Sequence, residues 1–235
     1  MRRRRPVTGP ITTDGYPTSD GRPMAETDHH RLLMTALIES LTDHFAADND
    51  TYVSGNLLVF YEEGNRRRHV SPDVMVAFDV PKHLRLHYKT WVEGKGPDVV
   101  IELTSATTKR EDRTKKWKLY QDVLKVPEYF LFDPFGDYLN PRFQGYRLVR
   151  GEYQEMKFAG GRLRSRKLGL ELEAVEDDLR LFDPRTGAFV PLRSERVAAE
   201  EKRAEAERLR RIRAEAENDR LRSELQELKR KLAGG

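Results

Sequence analysis

The sequence contains no cysteine. That excludes a disulfide framework, a cysteine-ligated metal centre and a thiol nucleophile. It also lacks long apolar runs; none approaches the roughly 18 residues that a membrane span needs. The opening MRRRRPVTGP is basic with no apolar stretch behind it, so it does not read as a secretory signal. These absences fit a reducing, cytoplasmic setting. The body of the chain lacks a charge excess as well. The net charge is +4, and Arg2 to Arg5 alone carry +4. From Glu195 onward there are 12 basic and 10 acidic residues, which leaves 27 basic against 29 acidic in between. A uniformly basic, polyanion-binding body is therefore excluded, and any nucleic-acid site must be a local patch.

What is present is polar. Of 235 residues, 37% are hydrophobic and 35% charged, a composition that suits one domain of moderate size with part of the chain outside its core. Residues 1–23 have no periodicity and read as a disordered or loosely attached arm, whose arginines either contact phosphates or are simply solvated. Leu33, Met34, Leu37, Ile38, Leu41 and Phe45 recur at helical spacing, and Thr27 or Asp28 can cap that helix. His29 and His30, with Asp28, look like a metal triad, but three consecutive residues point in different directions, so a helix start is the better reading. TYVSGNLLVFYEEGN reads as a strand, HVSPDVMVAFDV as a second, PDVVIELTS as a third and VPEYFLFDP as a fourth. Between the last two, the pattern from about Lys109 to Lys125 is helical, with Trp117, Tyr120 and Leu124 on one face. A hairpin is centred on Arg150-Gly151, and shorter strands are expected at 168–174, 179–183 and 188–191. The domain spans 24–193.

From 194 to 235 proline vanishes and Ala, Glu, Arg and Leu dominate, which predicts a long solvated helix. Its last part has a heptad register. Asn218, Leu225 and Leu232 take a positions, and Ala214, Leu221 and Leu228 take d positions. Glu217 and Glu224 at g then face Arg222 and Lys229 at e of a partner. This is the pattern of a parallel two-stranded coiled coil and a homodimer; the register covers only about two to three heptads, so a single frayed helix is the alternative.

The chemistry begins at Glu102, an acid inside an apolar strand. An ionised carboxylate there costs several kcal/mol unless compensated. Asp73, on the neighbouring strand, brings a second acid. Two converging carboxylates repel unless a divalent cation lies between them, and hard cations such as Mg²⁺ or Mn²⁺ take oxygen ligands. The carbonyl of Leu103 could add another. A cation so held polarises a phosphoryl oxygen and activates water, and a nearby lysine stabilises developing charge. Thr104 occupies the strand position where such a lysine would share the face of Glu102. Lys109, Lys115, Lys116 and Lys118 are the substitutes, and Lys116 is the choice because it lies one turn before Tyr120. The plainer alternatives are a turn-binding Asp73, a Glu102 paired with arginine and a solvated Lys116. Asp98 shares the face of Glu102 but lies about 13 Å away, so it reads as a turn residue. Ser105 reads as a cap. The loop from Lys82 to Lys95 mixes Lys82, His83, Arg85, His87, Lys89 and Lys95 with Tyr88 and Trp91. It fits phosphate contact with base stacking and an ordinary surface loop equally.

Asp73 after Pro72, then a strand bearing Glu102, then a displaced lysine, resembles the PD-(D/E)xK phosphodiesterase superfamily. More closely, PDVVIELTS, KRED and KKWKLYQDVLKVPEYFLFDP resemble the Uma-two family of restriction-endonuclease-like proteins over residues 25–185. The matching positions are Glu102 to Ser105, Asp112, Lys116, Tyr120 and Glu128 to Pro134. The resemblance implies a mixed α/β (α+β), restriction-endonuclease-like sheet flanked by helices, followed by the C-terminal helix. It implies a metal-dependent endonuclease acting on nucleic acid, DNA more than RNA, with Asp73, Glu102 and Lys116 catalytic and Asp73, Glu102 and Leu103 on the metal. The family's usual N-terminal hairpin is replaced here by GYPTSDGRPMAET, leaving Glu26 and Glu39 as the nearby acids. A catalytically silent nucleic-acid-binding or coiled-coil scaffold protein that keeps the fold is the alternative.

Overall fold

The computed structural model describes residues 14–19, 27–104 and 112–233. The chain divides into two compact units, with the boundary between Val190 and Pro191.

In the first unit, helix α1 (Asp28–His44) opens at Thr27, whose side chain accepts the His30 amide. Leu33, Leu37 and Leu41 recur every four residues on its buried face, as an amphipathic helix requires. Strands β1 (Thr51–Ser54), β2 (Val59–Phe60), β3 (His69–Val70), β4 (Val74–Phe78) and β5 (Tyr88–Lys89) follow, then the short helix α2 (Thr90–Glu93) and β6 (Val99–Leu103). Two π-helical segments, Asp112–Lys116 and Leu119–Val123, lead to β7 (Glu128–Phe132). The hairpin β8 (Phe143–Val149) and β9 (Glu152–Glu155) comes next, followed by β10 (Arg162–Arg164), β11 (Glu171–Val175), β12 (Asp178–Asp183) and β13 (Ala188–Phe189).

The strands form three sheets. The largest has the order β1-β4-β6-β7-β8-β9, and within it β6 and β7 are parallel while the other neighbours are antiparallel. A four-stranded sheet runs β10-β11-β12-β13, and a three-stranded one β3-β2-β5. Side chains alternate across the main sheet and so supply two cores. Val99, Ile101 and Leu103 pack with α1 and with Leu163, Leu172 and Leu181 on one face. Val100, Tyr129 and Leu131 pack on the other with Tyr120, Val59 and Tyr88. This is the mixed sheet flanked by helices expected from the sequence.

Three local expectations change. The strand expected over TYVSGNLLVFYEEGN is broken into β1 and β2, because Gly55 lies against the Asp73 backbone and Asn56 takes a left-handed conformation at φ 50°. Residues 14–19, placed by composition in a loose arm, pack onto the domain. The Tyr16 ring lies 4.9 Å from Phe60 and 5.7 Å from Trp91, and its hydroxyl accepts the Gly64 amide at 2.8 Å. Asp98, read as a turn residue, does sit in the bend before β6, but it carries more than a turn. It is buried and accepts from the Phe78 amide at 2.9 Å, from Lys95 Nζ at 2.5 Å and from Lys167 Nζ at 2.9 Å.

In the second unit a single helix, α3, spans Arg193–Ala233, 41 residues, or about 60 Å at the α-helical rise. None of its described side chains is buried.

Asp98 yields a stability prediction. Burial alone raises its carboxyl, but the lysine and amide hydrogen bonds outweigh that and hold it below the ordinary value. A carboxyl lowered by folding stabilises the native state above its unfolded pKa, and that contribution fades as pH falls through the folded value. Urea unfolding of wild type should therefore lose stability on acidification below about pH 4 more steeply than Asp98→Asn does. At pH 7 Asp98→Ala should cost on the order of 3 kcal/mol, since it strands two lysines. Parallel pH profiles for wild type and Asp98→Asn would contradict this assignment.

Candidate active site

The site lies where β6 ends and β4 begins. Asp73 immediately precedes β4, and two backbone contacts fix it. The Asn56 amide donates to Pro72 O at 2.8 Å. Gly55 approaches so closely that a Cβ there would lie 2.0 Å from Asp73 O. The carboxylate then turns across to β6, where Oδ2 accepts the Leu103 amide at 2.7 Å. Oδ1 lies 3.5 Å from His30 Nε2, on the first turn of α1.

Glu102, with no solvent exposure, is on the penultimate residue of β6. Its Oε1 accepts the Tyr120 hydroxyl at 2.6 Å. Its Oε2 accepts Lys116 Nζ at 2.8 Å, and the Asp73 amide lies 3.4 Å from the same oxygen. Lys116 and Tyr120 come from the two π-helical segments. The wider winding is visible where the Leu124 amide bonds Leu119 O, five residues back; such turns occur disproportionately at functional sites. Between them, Trp117 wedges edge-on against Tyr146 at 4.3 Å and Tyr153 at 5.1 Å. That anchors the helix to β8 and β9 and aims Lys116 and Tyr120 at Glu102.

The electrostatics follow from these contacts. Burial alone raises the Asp73 carboxyl, but the His30 contact, the Lys116 charge and the Leu103 amide outweigh it and hold the group below its ordinary range. Asp73 is thus a carboxylate at neutral pH. Burial first, then the Glu102 charge, pushes the Tyr120 hydroxyl well above its ordinary value, so it stays a donor. Access from solvent is retained at two points, the Lys116 and Asp73 side chains, which are 15% and 16% exposed.

The structure therefore brings Asp73, Glu102 and Lys116 together. Leu103 joins through its amide, and in an extended strand its carbonyl points to the same edge. Thr104 is buried, and its hydroxyl has no hydrogen-bond partner among the described residues. Lys115 and Lys118 are exposed, while Lys109, Ser105 and Glu26 lie outside the described residues, as does the side chain of Asp112. Glu39 does not join, being nine residues along α1 from His30, about 13 Å at the helical rise. His30 is the residue that reading the Asp28-His29-His30 run as a helix start missed. Thr27 does the capping, and His30 points at Asp73. In the Lys82–Lys95 loop most cations already have intramolecular acids. Arg85 pairs with Glu93 at 2.7 Å, His87 and Lys89 with Asp14, and Lys95 with Asp98. Tyr88 is buried, so its ring is not open to base stacking.

A mixed sheet flanked by helices, with two acids at one strand end and a lysine reaching them from a helix, places the fold in the restriction-endonuclease-like class. The model of the Uma2 family, described as "Putative restriction endonuclease", matches residues 16–179, and the chain belongs to that family. Among solved structures, that of a "putative nuclease" from Anabaena variabilis ATCC 29413 is similar at 15% identity over 68% of this chain and 86% of the other, with a TM-score of 0.43. No curated protein matches.

Gly55 sets up a direct check on this geometry. Gly55→Ala must push the Asp73 backbone away, at an expected cost of about 1–3 kcal/mol in urea unfolding. An unchanged midpoint would mean that the 55–73 contact does not constrain Asp73.

Proposed function

We propose that the protein is a Mg²⁺- or Mn²⁺-dependent endonuclease that hydrolyses phosphodiester bonds in nucleic acid, DNA in preference to RNA. The observation that carries this reading is the convergence of Asp73, Glu102 and Lys116, with Lys116 Nζ 2.8 Å from Glu102 Oε2. The donor set fits a hard cation, since Asp73, Glu102 and the Leu103 carbonyl offer oxygens only. Among the described residues no group of three or more His, Cys, Asp or Glu side chains is arranged to hold a metal, and backbone oxygens and water are ligands that Mg²⁺ readily accepts beside two carboxylates. When bound, the cation supplies Lewis-acid polarisation of a phosphoryl oxygen and a water acidified toward neutral pH.

The chain's own residues do the rest. Asp73, kept ionised by the contacts around it, and Glu102, held in place by Tyr120, fix the position of negative charge. Lys116, partly open to solvent, offers an ammonium that can stabilise charge growing on phosphate oxygens. The buried sheet end holds these groups still, so little reorganisation is needed as charge develops.

The second reading, a silent nucleic-acid-binding or scaffold protein, is favoured by threonine rather than lysine at position 104. Incubation with supercoiled plasmid, single-stranded DNA and RNA, each with Mn²⁺, Mg²⁺ or EDTA, separates the two. The nuclease reading expects metal-dependent cleavage that falls at least about 100-fold in Glu102→Ala and Asp73→Ala. Cleavage unchanged in folded Glu102→Ala would sink the mechanism, and no cleavage of any substrate favours the silent protein.

We also propose that α3 joins two copies in a parallel coiled coil, supplying two sites for the two strands of a duplex. Leu221 and Leu225 are each 53% exposed, and the Glu217–Arg222 and Glu224–Lys229 pairings suit a second copy in register. Sedimentation equilibrium should give a dimer that becomes monomeric in Leu221→Glu/Leu225→Glu. A wild-type monomer, or a dimer indifferent to these changes, would count against the coil.

A further inference from the structure

The four carboxylate oxygens of the site are not equivalent. Asp73 Oδ2 is engaged by a backbone amide and Oδ1 faces His30. Glu102 Oε1 is taken by Tyr120, a fully buried residue whose hydroxyl lies 2.6 Å away. A bond that short, to an ionised acceptor and shielded from water, is of the strong charge-assisted kind. It fixes the rotation of the carboxyl group, so Glu102 can present one oxygen, Oε2, toward the open side of the site. That oxygen is where Lys116 Nζ sits at 2.8 Å.

We infer that Tyr120 is a positioning residue that confines Glu102 to a single available oxygen, and that Lys116 and a divalent cation compete for it. The inference rests on the metal-dependent reading above and extends it. Lys116 is a counter-ion of this buried acid. Were a cation held through Oε2, the Lys116 ammonium would be repelled from the carboxylate. The displaced charge would then be available to a phosphate. Lys116 therefore has opposite effects on two measurable quantities: it weakens metal binding and it aids cleavage. A merely structural salt bridge would not separate them, since its loss would weaken both.

The test is Mn²⁺ binding without nucleic acid, measured by the electron paramagnetic resonance signal of free Mn²⁺ at pH 8, with folding followed by circular dichroism. Lys116→Met and Lys116→Gln should bind Mn²⁺ on the order of tenfold more tightly than wild type, because a positive charge next to the cation is gone. Lys116→Arg, which keeps the charge, should return the affinity to near the wild-type value. In a Tyr120→Phe background, where Oε1 is released, the gain from Lys116→Met should shrink to less than about threefold, the non-additivity expected of coupled neighbours. Equal or weaker Mn²⁺ binding by the folded Met and Gln variants, with wild type binding normally, would overturn the competition and leave the nuclease reading standing. An undiminished gain in the Tyr120→Phe background would overturn the role of Tyr120. Failure of wild type and all variants to bind Mn²⁺ would overturn the inference together with the metal-dependent reading.

Discussion

One constraint organises the first unit: Glu102 is a carboxylate with no solvent exposure on a central strand. The sheet cannot relieve it, because β6 is flanked by β4 and β7 and covered on both faces. Relief has to arrive from outside the strand, and it does so from residues 14 and 18 positions later in the chain, Lys116 and Tyr120. The π-helical winding, the Trp117 wedge and the aromatic layer of Tyr129, Tyr146 and Tyr153 can all be understood as what is needed to hold those two groups against one buried acid. Asp73 is drawn into the same arrangement, since its amide and its carboxylate both lie against the last two residues of β6.

A comparison inside the molecule shows why this acid, and not another, marks the site. Glu128 is equally deep, at the start of β7. Yet its oxygens are taken by Arg147, by the Ser165 hydroxyl and by the Arg166 and Lys167 amides. Arginine with two main-chain amides is a locked, low-mobility set of donors that ties β7 to β8 and to the turn after β10. Asp98 is similar, with two lysines and an amide. These acids stand at the opposite end of β6 and β7 from Glu102. A lysine on a flexible four-carbon stem is a poorer lock than arginine and a better mobile charge. Glu128 thus has fixed donors, whereas Glu102, like Asp98, combines fixed donors, here the Tyr120 hydroxyl and the Asp73 amide, with the more mobile ammonium of a lysine, and of the two only Glu102 has a second acid, Asp73, beside it.

How much of this was legible in the sequence depended on whether the signal was local. Asp73 and Glu102 stood out because acids interrupt apolar runs, and the main-sheet strands followed from alternation and turn residues. Lys116 was separated from its neighbours by its spacing to Tyr120, a relation within one helix. Tertiary facts were not legible. His30 looked like part of a helix start because it does sit in a first turn, and nothing in the sequence says that α1 points that turn at Asp73. Distance along the strand correctly separated Asp98 from Glu102. It could not reveal that Lys167, 69 residues on, closes over Asp98 and makes it a buried ion pair. The break at Gly55 likewise depends on a backbone from another strand, and Tyr16 owes its anchoring to aromatic rings far away in sequence.

The helix α3 poses the reverse of the problem set by Glu102. In the first unit, charge is hidden and must find partners within the chain. In α3, Leu209, Ile212, Leu221 and Leu225 are exposed on a helix whose charges are already paired along its own surface, as in Arg211–Glu215 and Arg220–Glu224. Such i, i+4 pairs contribute only about 0.3–0.5 kcal/mol each, too little to account for 41 residues of ordered helix, since most helical stability comes from burying an apolar stripe. The need is therefore for cover of apolar surface; Leu221 and Leu225 fall at d and a of the heptad register, where the coil proposed above would cover them, while Leu209 and Ile212 lie outside that register. The two units thus pose opposite demands, internal pairing of buried charge in one and cover for exposed leucine in the other, and this is why the site and the proposed coil can be tested by separate substitutions.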